Sequence, residues 1–540
     1  MNTDQFLQLF EFLAVLLRAA TLISETLVIG GIAFLAVVLR APDEGALDLR
    51  QTSRRWVRAS ALALAITQAV SVASSVFVLM ASAGLSFREA IGANFVFAAS
   101  LMIAAALAIA VLCSGDRWHG APALLLPAGL LLVGSVMTSH AVARLNHRAL
   151  LAALTGLHQG ATAAWIGGLP FLVLVLVRAR AAGQARETSQ RFSRLALGCV
   201  TALVIAGLGL SVLYLGSWSS LYETAYGAMV GAKVLLLCFL LVLGASNFFA
   251  VRATPPHGAG ALTRVRRFCE AEIGIGLTVL LAAASLTSQP PAVDLTADRL
   301  SAAEIFARMA PQWPRFTAPS ARELAATVHA APPDSTPADA VRTPVLTHHQ
   351  INLEWSECNH HWAGLAVFLM GLLALLARTQ RFPLARNWPL LFIGMAAFLF
   401  FRADPETWPM GPRNFWQSWL DPEDLQHRFF VLLIVAFAVF EWRVQTGRVV
   451  SRVSSLVFPA LCALAGAALL THSHSLANLK EDLLAELSHL PIAVAGVMAG
   501  WSRWLEIRLP AEDRAKPVLS WVWPVCFVLV GAILLNYREM

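Results

Sequence analysis

The sequence predicts an all-α protein that crosses a membrane many times, and three observations predict this class. The chain of 540 residues is 57% hydrophobic and only 14% charged, which is far from the balance of a soluble domain. Apolar runs of about 18 residues or more recur along it, and each is long enough to cross about 30 Å of hydrocarbon. Short loops separate the runs, and every second loop is rich in arginine.

We expect about fourteen membrane spans from these runs. Their predicted limits are 9–39, 59–84, 91–113, 121–143, 148–177, 194–215, 226–250, 270–289, 357–378, 387–402, 427–446, 451–471, 484–507 and 518–536. The runs are continuous, whereas the strands of a membrane barrel alternate between apolar and polar residues over short segments. The sequence therefore favours a helical bundle over a barrel.

The arginine-rich loops follow the first, fifth, seventh, ninth, eleventh and thirteenth spans. Basic loops stay on the cytoplasmic side of a membrane, so both termini are expected on the outer, periplasmic side of a bacterial inner membrane. These loops also account for the net charge of +7 without a nucleic-acid partner. The seven cysteines occur singly with no C-x-x-C pair, which argues against a zinc ribbon or a redox dithiol.

The longest stretch without a span runs from 290 to 356 and contains nine prolines. Two short helical patterns, near 296–309 and 320–330, indicate a compact outer cap or ordered linker. The chain is thereby divided into three predicted parts. They are an eight-span half (1–292), a periplasmic linker or cap (293–356) and a six-span half (357–540).

Eight of the fourteen histidines fall near the predicted outer ends of spans: His140, His158, His360, His361, His427, His472, His474 and His489. Imidazole is the commonest metal ligand, and it suits copper and zinc. We interpret the group as a candidate metal or haem site. The alternative is that these histidines bond to water, lipid headgroups or neighbouring helices.

Two local patterns bear on these histidines. Met137 precedes His140 by three residues, which predicts a shared helix face; a thioether beside an imidazole suits Cu(I), although apolar filling is the alternative. His158 lies beside a stripe of small residues that predicts close approach of another helix: Gly156, Gly160, Ala164 and Gly168. "SHAVA" before His158 and "SHSLA" before His489 also resemble each other, through duplication or convergence.

Charged residues within predicted spans form a second group of candidates. Arg18 and Glu25 are seven residues apart on the first span, in one stripe with the more interfacial Glu11. Lys233 lies in the seventh span, and Glu272, with Glu270, opens the eighth. Such charges pair with one another or line a wet cavity, because they are costly in lipid. We interpret Arg18, Glu25, Lys233 and Glu272 as a candidate polar pathway, with buried ion pairs as the alternative.

Several motifs in residues 1 to about 292 resemble the CopD/PcoD family of copper-resistance membrane proteins. They are "SHAVA", "LHQGATAAWIGGL", "RFSRLALGCVTALVIAGLGL", "YETAYGAMVGAKVLLL", "RRFCEAEIGIGL" and "SQPPA", in this order. The resemblance implies copper passage across the inner membrane, with His140 and His158 as candidate copper ligands. It also implies a periplasmic CopC-like copper carrier as a partner. The six-span half resembles C-terminal extensions of some members of the family.

The leading hypothesis is a copper transport or copper-handling protein of the inner membrane, acting in copper homeostasis or resistance and not an enzyme. Copper, as Cu(I) or Cu(II), would be received by the outer histidines and passed through the bundle. No P-loop motif indicates the use of ATP. One alternative is a b-type haem protein for electron transfer or cupric reduction. Another is a membrane metallochaperone that delivers copper without transporting it.

Overall fold

The computed structural model describes residues 3–39, 44–115, 120–179, 182–253, 259–295, 299–318, 337–402, 407–411, 414–416, 419, 422–449, 451, 453–471 and 479–538. These residues form helices, turns and connecting segments, and none of them is in a strand. The predicted all-α class is therefore confirmed over this part of the chain.

The first half contains the elements that precede the linker. The helices are α1 (Thr3–Ala33, continued by a π-turn at Phe34–Val38), α2 (Glu44–Ala83), α3 (Phe87–Ile91), α4 (Asn94–Leu112), α5 (Leu125–Met137), α6 (His140–Ala143), α7 (Arg148–Ile166), α8 (Leu169–Arg178), α9 (Ala182–Leu215), α10 (Ser220–Glu223), α11 (Ala225–Ala253) and α12 (Ala259–Leu286). Short 3-10 turns occupy Ala121–Leu124 and Ala292–Asp294. Each of the eight spans predicted in this half coincides with one or two of these helices.

The linker and the second half are also helical where they are described. The helices are α13 (Ala302–Met309), α14 (Pro337–Arg378), α15 (Leu391–Arg402, preceded by a 3-10 helix at Pro383–Leu390), α16 (Pro422–Gln445), α17 (Val457–Leu469, preceded by a 3-10 turn at Ser454–Leu456), α18 (Leu479–Arg508) and α19 (Ala515–Leu535). Within this half, α14 packs along α19, and α18 packs along both α17 and α19.

Ten helical segments of the described chain are long and apolar enough to cross a membrane. Two shorter apolar segments, Ala121–Met137 and Ser454–Leu469, occupy the fourth and twelfth predicted spans. The helices α16 and α18 occupy the eleventh and thirteenth. The protein is thus a multi-pass helical membrane protein, while the count of about fourteen spans stays a prediction.

The linker region differs from its prediction in one respect. Helix α14 begins at Pro337, well before the predicted start of the ninth span at 357, and its apolar part is Leu353–Arg378. The first short helical pattern forms α13, whose start is fixed by a capping box between Ser301 and Glu304. The second pattern, near 320–330, lies outside the described residues.

Arginines of α2 and α9, helices that begin within two of the predicted basic loops, bond to backbone carbonyls at one end of the first half. Arg50 donates to the Leu39 carbonyl (3.0 Å), and Arg54 donates to the Gly115 carbonyl (2.6 Å). Arg191, at the start of α9, donates to the Val38 carbonyl (3.4 Å). The last carbonyls of a helix carry partial negative charge, so Arg50 and Arg191 stabilise the end of α1 and its π-turn. Arg54, which also donates to the Cys113 carbonyl (3.2 Å), stabilises the end of α4. The compartment that this end faces stays a prediction, as does the location of both termini.

The close helix crossing in the first half lies between α1 and α7. A Cβ atom added to Gly167 would lie 1.9 Å from the Thr26 carbonyl oxygen, and one added to Gly30 would lie 2.3 Å from Gly167. In the predicted small-residue stripe, Gly156 and Gly160 lie at ordinary contact distance from α5 (3.5 and 3.4 Å). The stripe therefore contacts a neighbour as expected, but the residues that permit the closest backbone approach are others.

Helix α18 of the second half packs against α11 and α12 of the first. The ring of Trp501 lies on Gly274, where an added Cβ would come within 1.6 Å of it. Glu270 accepts hydrogen bonds from Arg508 (3.0 Å) and from the indole of Trp504 (3.2 Å). The larger hydrophobic core accordingly includes residues of α18 beside those of the first half. Among the described residues, α18 makes most of the contact between the two halves, and α17 adds a smaller contact with α12.

Candidate functional site

A cavity of about 430 Å³ lies inside the first half, and we call it the central cavity. Its walls come from α1, α7, α9, α11 and α12, together with the start of α6. Most lining residues are apolar. The sequence-predicted residues among them are Arg18, Glu25, His140, His158 and Lys233. The fold thus brings five of the candidates into one chamber, although they lie on four different helices.

Helix α7 presents a polar stripe to the central cavity. Thr155, His158, Gln159 and Thr162 all line it, and their spacing of three and four residues places them on one helix face. The Nδ1 atom of His158 and the Oε1 atom of Gln159 are buried without a hydrogen-bond partner among the described residues. Buried polar atoms are nearly always bonded, so these two are available to a ligand or water in the chamber.

His140 lies at the rim of the cavity, as the first residue of α6. Its Nε2–H donates to the Thr287 carbonyl just after α12 (2.9 Å). This bond assigns the proton to Nε2 and leaves the lone pair on Nδ1. An imidazole held in this way by a backbone carbonyl has the arrangement typical of metal-binding histidines.

Arg18 and Glu25 attach α1 to the end of α5. Arg18 donates to the hydroxyl of Thr138 (3.2 Å), and Glu25 accepts from the hydroxyl of Ser135 (2.9 Å). Glu25 is only 4% exposed. The two charges form no direct ion pair in the described structure, and both line the cavity. The pathway interpretation and the structural interpretation therefore both stay open for them.

Lys233 and Glu272 are separated by the fold. Lys233 lines the cavity on the stripe of α11 that also carries Tyr226, Val230 and Leu237. Glu272 is buried elsewhere and accepts a hydrogen bond from Asn247. Asn247 lies fourteen residues after Lys233 on α11, about 21 Å along the helix axis. Lys233 is therefore not the partner of Glu272, and Glu272 does not line the cavity.

Met137 does not share a helix face with His140, so this part of the prediction was wrong. Helix α5 ends at Met137, Thr138 and Ser139 follow, and α6 begins at His140. Residues three apart share a face only when the helix continues between them. Met137 is also absent from the lining of the cavity. Its role as a copper ligand stays a prediction without support from the geometry.

A second group of aromatic side chains lies in the second half, and we call His360, His489 and Tyr537 the second-half histidine group. The ring of Tyr537 stacks on His360 at a centroid distance of 3.9 Å, and the rings of His360 and His489 are 6.5 Å apart. The Nδ1–H of His360 donates to the Ser356 carbonyl (2.9 Å). Its Nε2 therefore carries the lone pair that a metal would require.

His361 and His427 lie near this group and differ in their bonding. His361 is fully buried; its Nδ1 accepts from the backbone N–H of Arg315 (2.8 Å), and its Nε2–H donates to the Tyr537 carbonyl (3.0 Å). Both nitrogens are thus used to hold two backbone segments together. His427 lies within electrostatic range of His360. The remaining candidates, His472 and His474, lie outside the described residues.

His140 and the second-half histidine group lie at the same end of the molecule. His140 bonds to Thr287, and two residues later Gln289 donates to Glu486 of α18 (3.4 Å). Glu486 precedes His489 by three residues, less than one helical turn. Among the described residues, no three histidine, cysteine or acidic side chains are grouped as metal ligands. The described residues therefore offer the neighbouring imidazoles of His360 and His489, and those of His140 and His158 in the cavity lining, rather than a finished metal cage.

Sequence reasoning missed a buried ionic network in the second half. Arg503 pairs with Glu441 (2.9 Å) and Glu506 (2.7 Å), and Glu506 also pairs with Arg378 (2.5 Å). The indole of Trp523 donates to Glu506 as well (2.9 Å). Arg503 lies within the predicted span 484–507 but was not among the intramembrane charges named above. The missed signal is an acidic residue within a predicted span: Glu441 in "FEWR", and Glu506 in "SRWLEIR", one helical turn after Arg503.

These features define a multi-pass membrane protein whose first half encloses a largely apolar chamber with several polar side chains on its walls. Residues 186–286 match the family model described as Copper resistance protein D, and they include nearly all of α9 and all of α11 and α12. Over 212 residues the chain is 33% identical to the Copper transport protein CutJ of Bacillus subtilis (strain 168). These matches support the resemblance to the CopD family that the motifs of the first half predicted.

The extent of these matches is limited. The alignment with CutJ covers 38% of this chain and 38% of that protein, so the chain aligns with well under half of the length of its curated relative. No solved structure matches the chain. The matches support a copper-related function at a membrane and point to a transporter rather than a catalyst. Neither description refers to haem, and the haem alternative gains no support.

Proposed function

We propose that the chain carries copper across the bacterial inner membrane, as part of copper homeostasis or resistance, through the central cavity. The observation that carries the proposal is the chamber itself. It joins His140 at the rim to His158 on the wall, and three of the helices that line it, α9, α11 and α12, supply the CopD match at residues 186–286. Imidazole nitrogens with free lone pairs are suitable ligands for copper, and two of them face this space.

The path of copper would begin at the end of the molecule where His140 and the second-half histidine group lie. Copper received at the second-half histidine group, or delivered by a CopC-like periplasmic carrier, would reach His140 and then His158. Pairs of ligands hold an ion less firmly than a closed cage, which suits a site that must also release it. In general, an ion is conducted only if a site binds it strongly enough for the ion to enter and weakly enough for it to leave.

The test is copper uptake by the purified full chain in liposomes, together with copper binding by the same preparations. We expect His158→Asn and His140→Asn each to reduce uptake and binding severalfold. His147→Asn is the matched control, because His147 is exposed outside the cavity and its left-handed backbone (φ 56°) is tolerated by asparagine.

A parallel variant, His489→Asn, tests whether the second half takes part. A reduced rate of uptake with unchanged binding at the cavity would assign the second-half histidine group to reception. If His158→Asn and His489→Asn both left copper uptake and copper binding at wild-type levels, copper passage through this protein would have to be abandoned. Copper binding without uptake would instead favour delivery of copper at the membrane surface.

A further inference from the structure

The charges that line the central cavity do not balance. The lining side chains with acidic or strongly basic groups are Arg18, Glu25 and Lys233, so two basic groups face the space against one carboxyl group. Glu25 is the nearest compensation for Arg18, since both belong to α1 and bond to the same end of α5. Lys233 forms no ion pair with any described residue, and Glu272 is about 20 Å away along the helix.

An ammonium group without a counter-charge is costly inside a membrane protein, because the surroundings cannot replace its hydration. A bare copper cation in the same chamber would add repulsion to that cost. The chamber also holds the hydrogen-bonding groups of Thr155 and Gln159 and is large enough for several small ligands. The lining is therefore suited to an anion in addition to a metal.

We infer that the central cavity binds a small anion at Lys233, and that copper passes through it as an ion pair or anionic complex rather than as a bare cation. This inference rests on the proposed function for the identity of the metal. The anion site itself rests only on the unbalanced lining. The anion is either a free halide or an anionic ligand that copper brings with it, and the two sources share the same contact with the ammonium group.

The first experiment measures binding of radiolabelled chloride to the purified full chain, with and without Cu(I). We expect saturable binding by the wild type, weakened about 10- to 100-fold in Lys233→Gln, as for the loss of a charged hydrogen bond. Lys233→Arg should retain it. Arg252→Gln is the control, because it removes an exposed cation of the same helix outside the cavity. Binding without copper would identify a free halide, and binding only with copper would identify a ligand of the metal.

The second experiment measures copper uptake into liposomes in chloride and in gluconate at equal ionic strength and equal free Cu(I). We expect faster uptake in chloride by the wild type, and a rate in Lys233→Gln that no longer depends on the anion. A wild-type protein that binds no chloride in either condition overturns the inference, whatever the variants do. Chloride binding without copper uptake in any buffer would remove the proposed function and leave the anion site standing.

Discussion

Replacing Arg503 by methionine should strongly destabilise the second half of the molecule. Arg503 is 7% exposed and is the cation that lies within ion-pair distance of Glu441 in the described structure, while Glu441 is fully buried. The four charges of the network sum to zero, and the substitution leaves one net negative charge inside. Glu441 would keep only its hydrogen bond from Gln445 (2.7 Å).

The expected cost follows from that orphaned carboxylate. Breaking a buried ion pair from one side costs about 3–5 kcal/mol, because the remaining charge loses its compensation without regaining water. The melting temperature moves less per kcal/mol in longer chains, by about 1–2 °C in a chain of 540 residues. We therefore expect the variant to melt about 3–10 °C below the wild type.

The assay is thermal unfolding of the detergent-purified chain, followed by intrinsic tryptophan fluorescence and by loss of the monodisperse peak. Two controls separate charge from packing. Arg378→Met removes the other cation of the network. Its partner Glu506 still forms an ion pair with Arg503, so the fall in melting temperature should be smaller. Adding Glu441→Gln to Arg503→Met restores neutrality and should recover part of the loss. Equal melting of Arg503→Met and wild type, or no recovery in the double variant, would refute the reasoning.

Two further predictions concern other parts of the fold. Gly167→Ala should displace α1 from α7 and lower the melting temperature, because the new methyl group would lie 1.9 Å from the Thr26 carbonyl oxygen. Gly129→Ala is the control: no atom lies within 4 Å of the new methyl group, so the melting temperature should stay unchanged or rise slightly. The start of α3 should become less stable in acid. The hydrogen bonds between Glu89 and Ser86 lower the pKa of Glu89 below the ordinary 4.5. The stability that these bonds give to α3 is therefore present above pH 4.5 and is lost as the pH falls through the lowered pKa. Amide exchange in α3 should therefore accelerate in that acid range for the wild type but not for Glu89→Gln, and an acceleration equal in both would contradict the assignment.

Most of the helical framework was predictable because it depends on local composition. A continuous apolar run long enough to cross a membrane must satisfy its own backbone hydrogen bonds, and a helix does so. Helix ends were less predictable. The start of α14 at Pro337 lies in a polar stretch whose helicity leaves no mark in hydropathy.

The individual polar residues of the cavity were predictable, but which of them line it together was not. The histidines and intramembrane charges stand out singly because such residues are costly in lipid. Which of them share a chamber depends on helix order and rotation, which no local pattern specifies. Lys233 and Glu272 were candidates for one pathway, yet Glu272 lies on α12 and bonds to Asn247, about 21 Å from Lys233 along α11.

The contact between Trp501 and Gly274 bears on the order in which the protein matures. Synthesis proceeds from the N-terminus, so α11 and α12 enter the bilayer long before α18 exists. Until then the groove over Gly274 lacks the Trp501 ring that later fills it. The chamber-bearing half thus reaches its final packing only after nearly the whole chain has been translated and inserted. A ribosome that stalls before α18 would release a membrane protein with an unfilled groove beside its cavity.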